Sequence, residues 1–255
     1  MPPYRWNTNA AALAYDASAG HVHPYYAVLQ DQILSLLAKL PNRLLLIVDA
    51  GGGSGRLMER ILDRFPNAEG LLLDQSEPYL ALACERLNRF GSRAGISKGR
   101  LQDAWDQFLP RPADAIVSMS AIHHLDPVEK QDLYARCYNY LSPTGLLLNG
   151  DEIRPENEAQ YLAELERWSD HMAHKLKTGH IVAEFQAMFE KWRHRNIGRF
   201  GAIRKSGEDC HETTDVQLGY FRSAGFVYVE AKWQKSLWAL MAGQRRAKEE
   251  NGIVF

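Results

Sequence analysis

A run of glycines behind an apolar segment has the clearest chemical potential in this sequence. Residues 44–55 read LLLIVDAGGGSG, so that a D-x-G-x-G-x-G pattern begins at Asp49. Glycine lets the backbone turn sharply and approach a ligand with no Cβ atom in the way. The apolar residues before the turn predict a buried strand, and the apolar spacing in residues 56–65 predicts a helix after it. Such a turn between a strand and a helix predicts a loop that binds a cofactor.

The glycine spacing separates this loop from two common nucleotide-binding loops. A phosphate loop of the form GxxxxGK[ST] needs a lysine after its last glycine, and no lysine follows Gly55. A dinucleotide fingerprint, GxGxxG, places its third glycine three residues after the second, whereas Gly55 follows Gly53 by two. Both differences argue against a nucleoside triphosphate and a nicotinamide dinucleotide.

The loop resembles motif I of the class I S-adenosylmethionine-dependent methyltransferases. Segments that resemble the later motifs of that family follow in order, namely GLLLD (70–74), LQDAW (101–105), DAIVSM (114–119) and LSPTGLLL (141–148). Two positions depart from the family pattern, because Gln102 and Thr144 stand where the family has glycine. The resemblance covers residues 40–152, with a weaker continuation at 213–245. It implies S-adenosylmethionine as the cofactor and S-adenosylhomocysteine as the product.

The resemblance also implies which residues surround the cofactor. Asp49 would shape the loop, and Asp74 would accept hydrogen bonds from both ribose hydroxyls. The alternative for Asp74 is an acidic cap on the helix that begins near Ser76. Asp103 is expected at the adenine, and Tyr15 in an N-terminal segment that closes over the cofactor. The complete expected set is Tyr15, Asp49, Gly51, Gly52, Gly53, Asp74, Gln75, Gln102, Asp103, Ala104 and Ser118.

Two histidines follow the predicted fourth strand, where a cofactor and a methyl acceptor would meet. His123 and His124 lie in the segment SAIHHL, which ends at Leu125. A neutral imidazole with a pKa of about 6.5 can take a proton from an acceptor hydroxyl or amine, so both are candidate catalytic residues. A resemblance of this segment to quinone-biosynthesis methyltransferases implies a positioning role instead. Asp151 and Glu152, near the end of the fifth strand, either face the acceptor or are solvated caps.

The elements that must hold these residues predict an α/β fold. Residues 44–150 alternate short apolar strands with helices, which is typical of a parallel sheet covered on both faces. With the family pattern at the end of the chain, this predicts a Rossmann-like, mostly parallel sheet of seven strands whose last strand is antiparallel. The expected parts are an N-terminal helical lid (1–43), a cofactor-binding core (44–152 and 213–245) and a helical cap over the acceptor site (153–212).

The cap segment holds the features that bear on the acceptor. Predicted helices at 156–176 and 181–192 have aromatic faces, which favour a hydrophobic or aromatic small molecule. His171 and His174 share a helix face, but no third ligand is in register, so no metal is expected. Residues 191–205 hold six basic residues and no acid, which suits an anionic acceptor or RNA. An RNA-modifying enzyme and a non-catalytic cofactor-binding protein are therefore the alternatives.

Composition argues against several classes of protein. The formal net charge of -1 gives no overall attraction to nucleic acid or membranes. No apolar stretch approaches the roughly 18 residues that span a bilayer, and the N-terminus lacks a signal-peptide apolar region, so a cytoplasmic location is expected. Three scattered cysteines, Cys84, Cys137 and Cys210, argue against a disulfide framework. The [DN]PP[YF] motif of amino-methylating nucleic-acid enzymes is absent after the fourth strand, which favours a small-molecule acceptor.

Overall fold

One seven-stranded sheet organises the computed structural model, which describes residues 7–41 and 44–246. The strands are β1 (Leu45–Ala50), β2 (Ala68–Asp74), β3 (Ala94–Lys98), β4 (Ala113–Met119), β5 (Leu141–Glu152), β6 (Val227–Lys235) and β7 (Trp238–Gln244). Their order across the sheet is β3-β2-β1-β4-β5-β7-β6. The first five strands are parallel, and β7 runs antiparallel to both of its neighbours. The predicted mostly parallel sheet with an antiparallel last strand is confirmed.

Helices cover both faces of the sheet. They are α1 (Asn9–Val22), α2 (Tyr26–Leu37), α3 (Arg56–Arg64), α4 (Glu77–Leu87), α5 (Pro127–Tyr140), α6 (Glu158–Lys177), α7 (Gln186–Arg193) and α8 (Thr214–Ser223). Strand β1 is buried along its whole length, because Leu45 and Ile47 pack into one apolar core while Leu46 and Val48 pack into the other. A central strand buried on both faces explains the uninterrupted apolar run in the sequence.

The segment between β5 and α8 is less regular than the sequence predicted. Helix α7 is short, and a π-helical turn at His194–Gly198 follows it. Residues 199–213 then form neither helix nor strand. Within this stretch, Gly207 N donates to His124 O (2.7 Å) and Cys210 N donates to His123 O (2.8 Å). The irregular stretch therefore lies against the loop that carries the two histidines.

Part of the predicted lid and the character of the helices complete the description of the fold. Positions 1–6 and 42–43 of the predicted lid lie outside the described residues. Among the helices that the structure describes, none has the length and apolar character needed to cross a lipid bilayer.

Candidate functional site

A cavity of about 1300 Å³ opens at the carboxyl ends of the central strands. Such a position is where open α/β sheets bind ligands. Sites for a single small molecule are commonly about 300–1,000 Å³. This cavity therefore has room for a cofactor and an acceptor side by side.

The glycine turn after β1 forms one wall of the cavity. Gly51 and Gly53 have φ angles of 78° and 54°, in the left-handed region that favours glycine. A Cβ atom at Gly51 would lie 2.6 Å from the Cβ atom of Ala121, and one at Gly52 would lie 2.8 Å from the carboxylate of Asp49. The turn thus brings bare backbone to the cavity, and side chains at these positions would disrupt it.

Two carboxylates support this turn. Asp74 Oδ2 accepts from Gly53 N (3.0 Å), and Asp74 Oδ1 accepts from Ser76 N (2.8 Å). Burial raises the pKa of Asp74, and these backbone donors oppose the rise. Asp49 lies behind the turn and is only 1% exposed. Burial, with a smaller contribution from the charge of Asp74, raises the pKa of Asp49 to about 7.

The raised pKa of Asp49 predicts a pH-dependent cost to folding in the absence of ligand. Its ordinary value is 3.8, so the folded chain binds this proton more tightly than the unfolded chain does. The stabilisation that this proton gives the folded chain is fully present below pH ~4 and is lost as the pH rises through ~7. We expect the free energy of unfolding of Asp49→Asn to exceed that of wild type increasingly toward pH 8, by a few kcal/mol at most.

Urea denaturation from pH 5 to pH 8.5 checks this expectation. Asp103→Asn is the matched control, because Asp103 is exposed. A stability difference between Asp49→Asn and wild type that stays constant with pH would contradict the assignment.

Helix α1 is attached to the turn through an ionic network. Asp16 accepts from Arg56 Nε (2.8 Å), from Arg86 Nη2 (3.0 Å) and from the hydroxyl of Ser54. Burial alone would raise the pKa of Asp16, but these donors hold it below its usual range. The neighbouring Tyr15 faces the cavity, and its hydroxyl lies 2.7 Å from His23 Nε2.

At the far end of the cavity, two buried carboxylates hold one face of His123. Its Nδ1 lies 2.6 Å from Asp151 Oδ1 and 2.6 Å from Glu152 Oε2, both on β5. His23 Nδ1 lies 3.1 Å from the other oxygen of Glu152. Burial would lower the pKa of His123, but the charges of Glu152 and Asp151 outweigh it and raise the value to about 10. The surroundings differ from those of the neutral imidazole predicted from the sequence, since the two carboxylates favour the protonated form.

Residues from the irregular stretch complete this group. Asp209 Oδ1 lies 3.5 Å from His124 Nδ1 and 4.0 Å from His123 Nε2. His211 Nδ1 lies 2.7 Å from the hydroxyl of Tyr161, and burial lowers the pKa of His211 to about 3, which leaves it neutral. We call the following set the histidine cluster: His23, His123, His124, Asp151, Glu152, Asp209 and His211.

The cap supplies an apolar wall beside the histidine cluster. This aromatic wall consists of Trp168, Met172, Phe185, Met188 and Trp192. Three side chains of the basic stretch, Lys191, Arg195 and Lys205, also line the cavity. This end of the cavity, called the acceptor half below, is therefore apolar on one side and carries charge on the other.

Comparison with known proteins identifies the core. Residues 47–145 match the family model described as a methyltransferase domain. These residues form a methyltransferase domain of the class I, S-adenosylmethionine-dependent type. The family and the cofactor predicted from the sequence are confirmed.

Individual relatives differ in what they methylate. The chain is 34% identical over 119 residues to the 23S rRNA (guanine(748)-N(1))-methyltransferase of Streptomyces fradiae, a match that covers 47% of this chain and 36% of that protein. It is 31% identical over 150 residues to the phenazine O-methyltransferase of Lysobacter antibioticus, which covers 56% of this chain and 41% of that protein. The chain thus spans less than half the length of either relative, so the methyl acceptors of these relatives are not assigned to it.

A solved structure supports the same fold. Human N-acetylserotonin methyltransferase in complex with S-adenosylmethionine superposes with a TM-score of 0.61 at 15% identity. The match covers 95% of this chain and 58% of the human enzyme. At this identity the likeness concerns the fold alone.

Most residues predicted for the methyltransferase site line the cavity. They are Tyr15, Asp49, Gly51, Gly52, Gly53, Asp74, Gln75, Gln102, His123 and His124. Asp103 and Ala104 are exposed and stand apart from the lining, and Leu101 faces the cavity instead. Ser118 is buried and donates to Ala50 O (2.7 Å), so its side chain joins two strands. The ligand contacts of the lining residues stay predictions.

The sequence did not indicate Asp209 or His211 as residues of the site, and it included Arg195 only as part of the basic stretch 191–205. Asp209 and His211 come just before α8, in a stretch without apolar periodicity. The one available signal was the presence of polar residues at alternate positions before a helix. His171 and His174, the pair that invited a metal reading, lie on α6 outside the cavity lining.

Proposed function

We propose that this chain transfers a methyl group from S-adenosylmethionine to a small-molecule acceptor that binds between the histidine cluster and the aromatic wall. The observation that carries the proposal is the single cavity. The same space runs from the glycine turn and Asp74 to His123 and His124. In-line displacement requires this arrangement, with donor and acceptor sites adjoining.

The residues of the chain then act mainly by alignment. S-adenosylmethionine supplies an activated methyl group on a sulfonium. The glycine turn and Asp74 fix the position of the bound molecule, while Trp168 and Phe185 exclude water from the acceptor half. Alignment of two reactants in this way contributes roughly 7–11 kcal/mol to lowering a barrier. We assign His123 and His124 to orienting the reacting group of the acceptor.

The N-terminal segment and the cap close the site in this proposal. Asp16 joins α1 to the glycine turn, and Trp168 Nε1 donates to Val22 O (2.8 Å), which joins α1 to the cap. Residues of α1 and α6 line the cavity next to these contacts, among them Tyr15, Val22 and Trp168. A closed site keeps the reaction dry, as alignment-driven transfer requires.

The surroundings of the basic stretch favour a small acceptor over RNA. Arg195 contacts Asp209 (3.1 Å), and Arg204 Nη2 donates to the backbone oxygen of Arg195 (2.7 Å). Lys191 and Lys205 line the cavity. Basic side chains directed into a cavity suit an acceptor that carries an anionic group, whereas RNA binding needs a continuous basic surface.

Calorimetric titration tests the cofactor half of the proposal. We expect S-adenosylmethionine and S-adenosylhomocysteine to bind with a Kd in the roughly micromolar range, and NADH to show no heat of binding. Release of S-adenosylhomocysteine is then measured with hydrophobic aromatic acids and with ribosomal RNA. Turnover with RNA alone, or a salt-sensitive RNA complex, would favour the RNA-modifying alternative. Binding without turnover on any acceptor would favour a non-catalytic protein.

A further inference from the structure

Three donor atoms converge where the histidine cluster faces the cavity. One ligand atom from each of His123, His124 and Asp209 lies within 4.8 Å of the other two. Asp209 Oδ1 lies 3.5 Å from His124 Nδ1 and 4.0 Å from His123 Nε2. Ligands bound about 2.1 Å from one ion are separated by roughly 3.0–3.4 Å. Side-chain shifts of less than about 1 Å would close these distances onto an ion.

We propose that His123, His124 and Asp209 bind one divalent transition-metal ion on the acceptor side of the cavity. The sequence predicted no metal, because the pair it considered, His171 and His174, has no third ligand in register. Two imidazoles and one carboxylate form a ligand set that suits Zn²⁺, Fe²⁺, Co²⁺ and Mn²⁺.

The surrounding contacts orient His123 and Asp209 toward each other, and His124 Nδ1 lies between Asp209 Oδ1 (3.5 Å) and Glu208 O (3.4 Å). His123 Nδ1 is held by Asp151 and Glu152, so that Nε2 is the ring nitrogen on the side of Asp209. Metal-binding histidines commonly donate their second ring N–H to a carboxylate in this way. Asp209 Oδ2 accepts from Asn196 Nδ2 (2.8 Å) and from Arg195 Nη2 (3.1 Å), which turns Oδ1 toward the histidines.

The charge of the cluster also favours a cation. Three buried carboxylates, those of Asp151, Glu152 and Asp209, meet within it. Buried charges are stable only when they are paired or coordinate a metal. The guanidinium of Arg195 offsets the charge of Asp209. An ion at His123 Nε2 would take the place of the ring proton there, and so supply the positive charge that Asp151 and Glu152 favour on this ring.

The second possible set of donors does not fit an ion. His123 Nδ1 lies 2.6 Å from both Asp151 Oδ1 and Glu152 Oε2. Those distances are hydrogen-bond distances, and they are shorter than the separation between two ligands of one ion. Asp151 and Glu152 therefore support His123 from behind.

An ion bound by three protein groups keeps coordination positions open to the cavity, as catalytic metal sites do. At such a position it would polarise a hydroxyl group of the acceptor. This role rests on the proposed function, whereas binding of the ion does not.

Cobalt titration of protein purified without a histidine tag tests the proposal. We expect one Co²⁺ per chain, seen as visible ligand-field bands and as retained metal after equilibrium dialysis. His124→Ala and Asp209→Asn should each weaken Co²⁺ binding at least about 10-fold. His174→Ala is the matched control, because His174 is exposed on α6, and it should bind Co²⁺ as wild type does.

Equal Co²⁺ binding by wild type and both ligand variants, or loss of binding only in His174→Ala, would overturn the proposal. Titration with S-adenosylmethionine on the same samples reports whether each variant is folded. Asp209→Asn is the milder change of the two, because it keeps a polar side chain of the same size. Wild type that binds S-adenosylmethionine without Co²⁺ would disprove the metal site alone. Wild type that binds Co²⁺ without S-adenosylmethionine would disprove the proposed function alone.

Discussion

Replacing Asp74 with alanine should raise the Kd for S-adenosylmethionine at least about 100-fold. In the proposed complex its carboxylate accepts hydrogen bonds from the ribose while it holds Gly53 N and Ser76 N. Hydrogen bonds to a charged group contribute about 1.5–3 kcal/mol each, and two of them correspond to roughly 100-fold or more in affinity. Calorimetric titration of the variant against wild type measures the change.

Asp103→Ala is the control for this experiment. The family resemblance places Asp103 at the adenine, yet its side chain is exposed outside the cavity lining. We therefore expect its Kd to stay within about 2-fold of wild type. A larger loss in Asp103→Ala than in Asp74→Ala would contradict the cavity described here.

Replacing Trp168 with alanine should lower the free energy of unfolding by about 3–5 kcal/mol, the usual range for a buried aromatic residue. Its indole donates to Val22 O, and its ring packs 4.7 Å from that of Trp192 and 4.6 Å from that of Trp238, measured between centroids. The substitution removes contacts among α1, the cap and β7 at once. In a chain of this size, a fall of roughly 10 °C in Tm is expected.

Thermal and urea denaturation check this result against two controls. Trp168→Phe keeps an aromatic ring but loses the hydrogen bond, so we expect a smaller loss of about 1–2 kcal/mol. Leu13→Ala removes a side chain that is 56% exposed, and its effect should stay within about 0.5 kcal/mol. Trp168→Ala that unfolds like Leu13→Ala would show that this contact contributes little.

Local sequence signals were sufficient to place the glycine turn and Asp74 at the edge of the sheet. The apolar run of β1 requires burial on both faces, and the glycines after it require a tight turn, so the position of the loop follows from short-range physics. Asp74 could likewise be placed, because it ends the neighbouring parallel strand. The register of β1 with β2 then sets Asp74 beside the turn, where it meets Gly53 N.

The segment after β3 shows where local spacing fails. The family pattern places Asp103 and Ala104 at the ligand, but Trp105 is fully buried with its ring 4.6 Å from that of Tyr140. Leu101 lines the cavity on the other side of the pair. With both flanking residues turned inward, Asp103 and Ala104 are left on the surface. The burial of Trp105 against α5 depends on residues distant in the chain, so the sequence around Trp105 does not indicate it.

Asp209 could not be placed from the sequence for a related reason. Its position depends on backbone hydrogen bonds from Gly207 and Cys210 to the loop of His123 and His124, about 84 residues earlier. Hydrogen bonds between segments so far apart in the chain leave no periodic pattern in the sequence from which they could be predicted. Ser118 illustrates the reverse case, because it lies near the end of β4 as predicted, but its side chain donates to Ala50 O on β1.

Helix α1 connects both halves of the cavity. Asp16, in the middle of the helix, contacts Arg56 beside the glycine turn, and His23, at the C-terminal cap, contacts Glu152 in the histidine cluster. If α1 moved outward as one rigid body, both contacts would break together. Under the proposed function, release of the spent cofactor and release of the methylated product would then share one opening event.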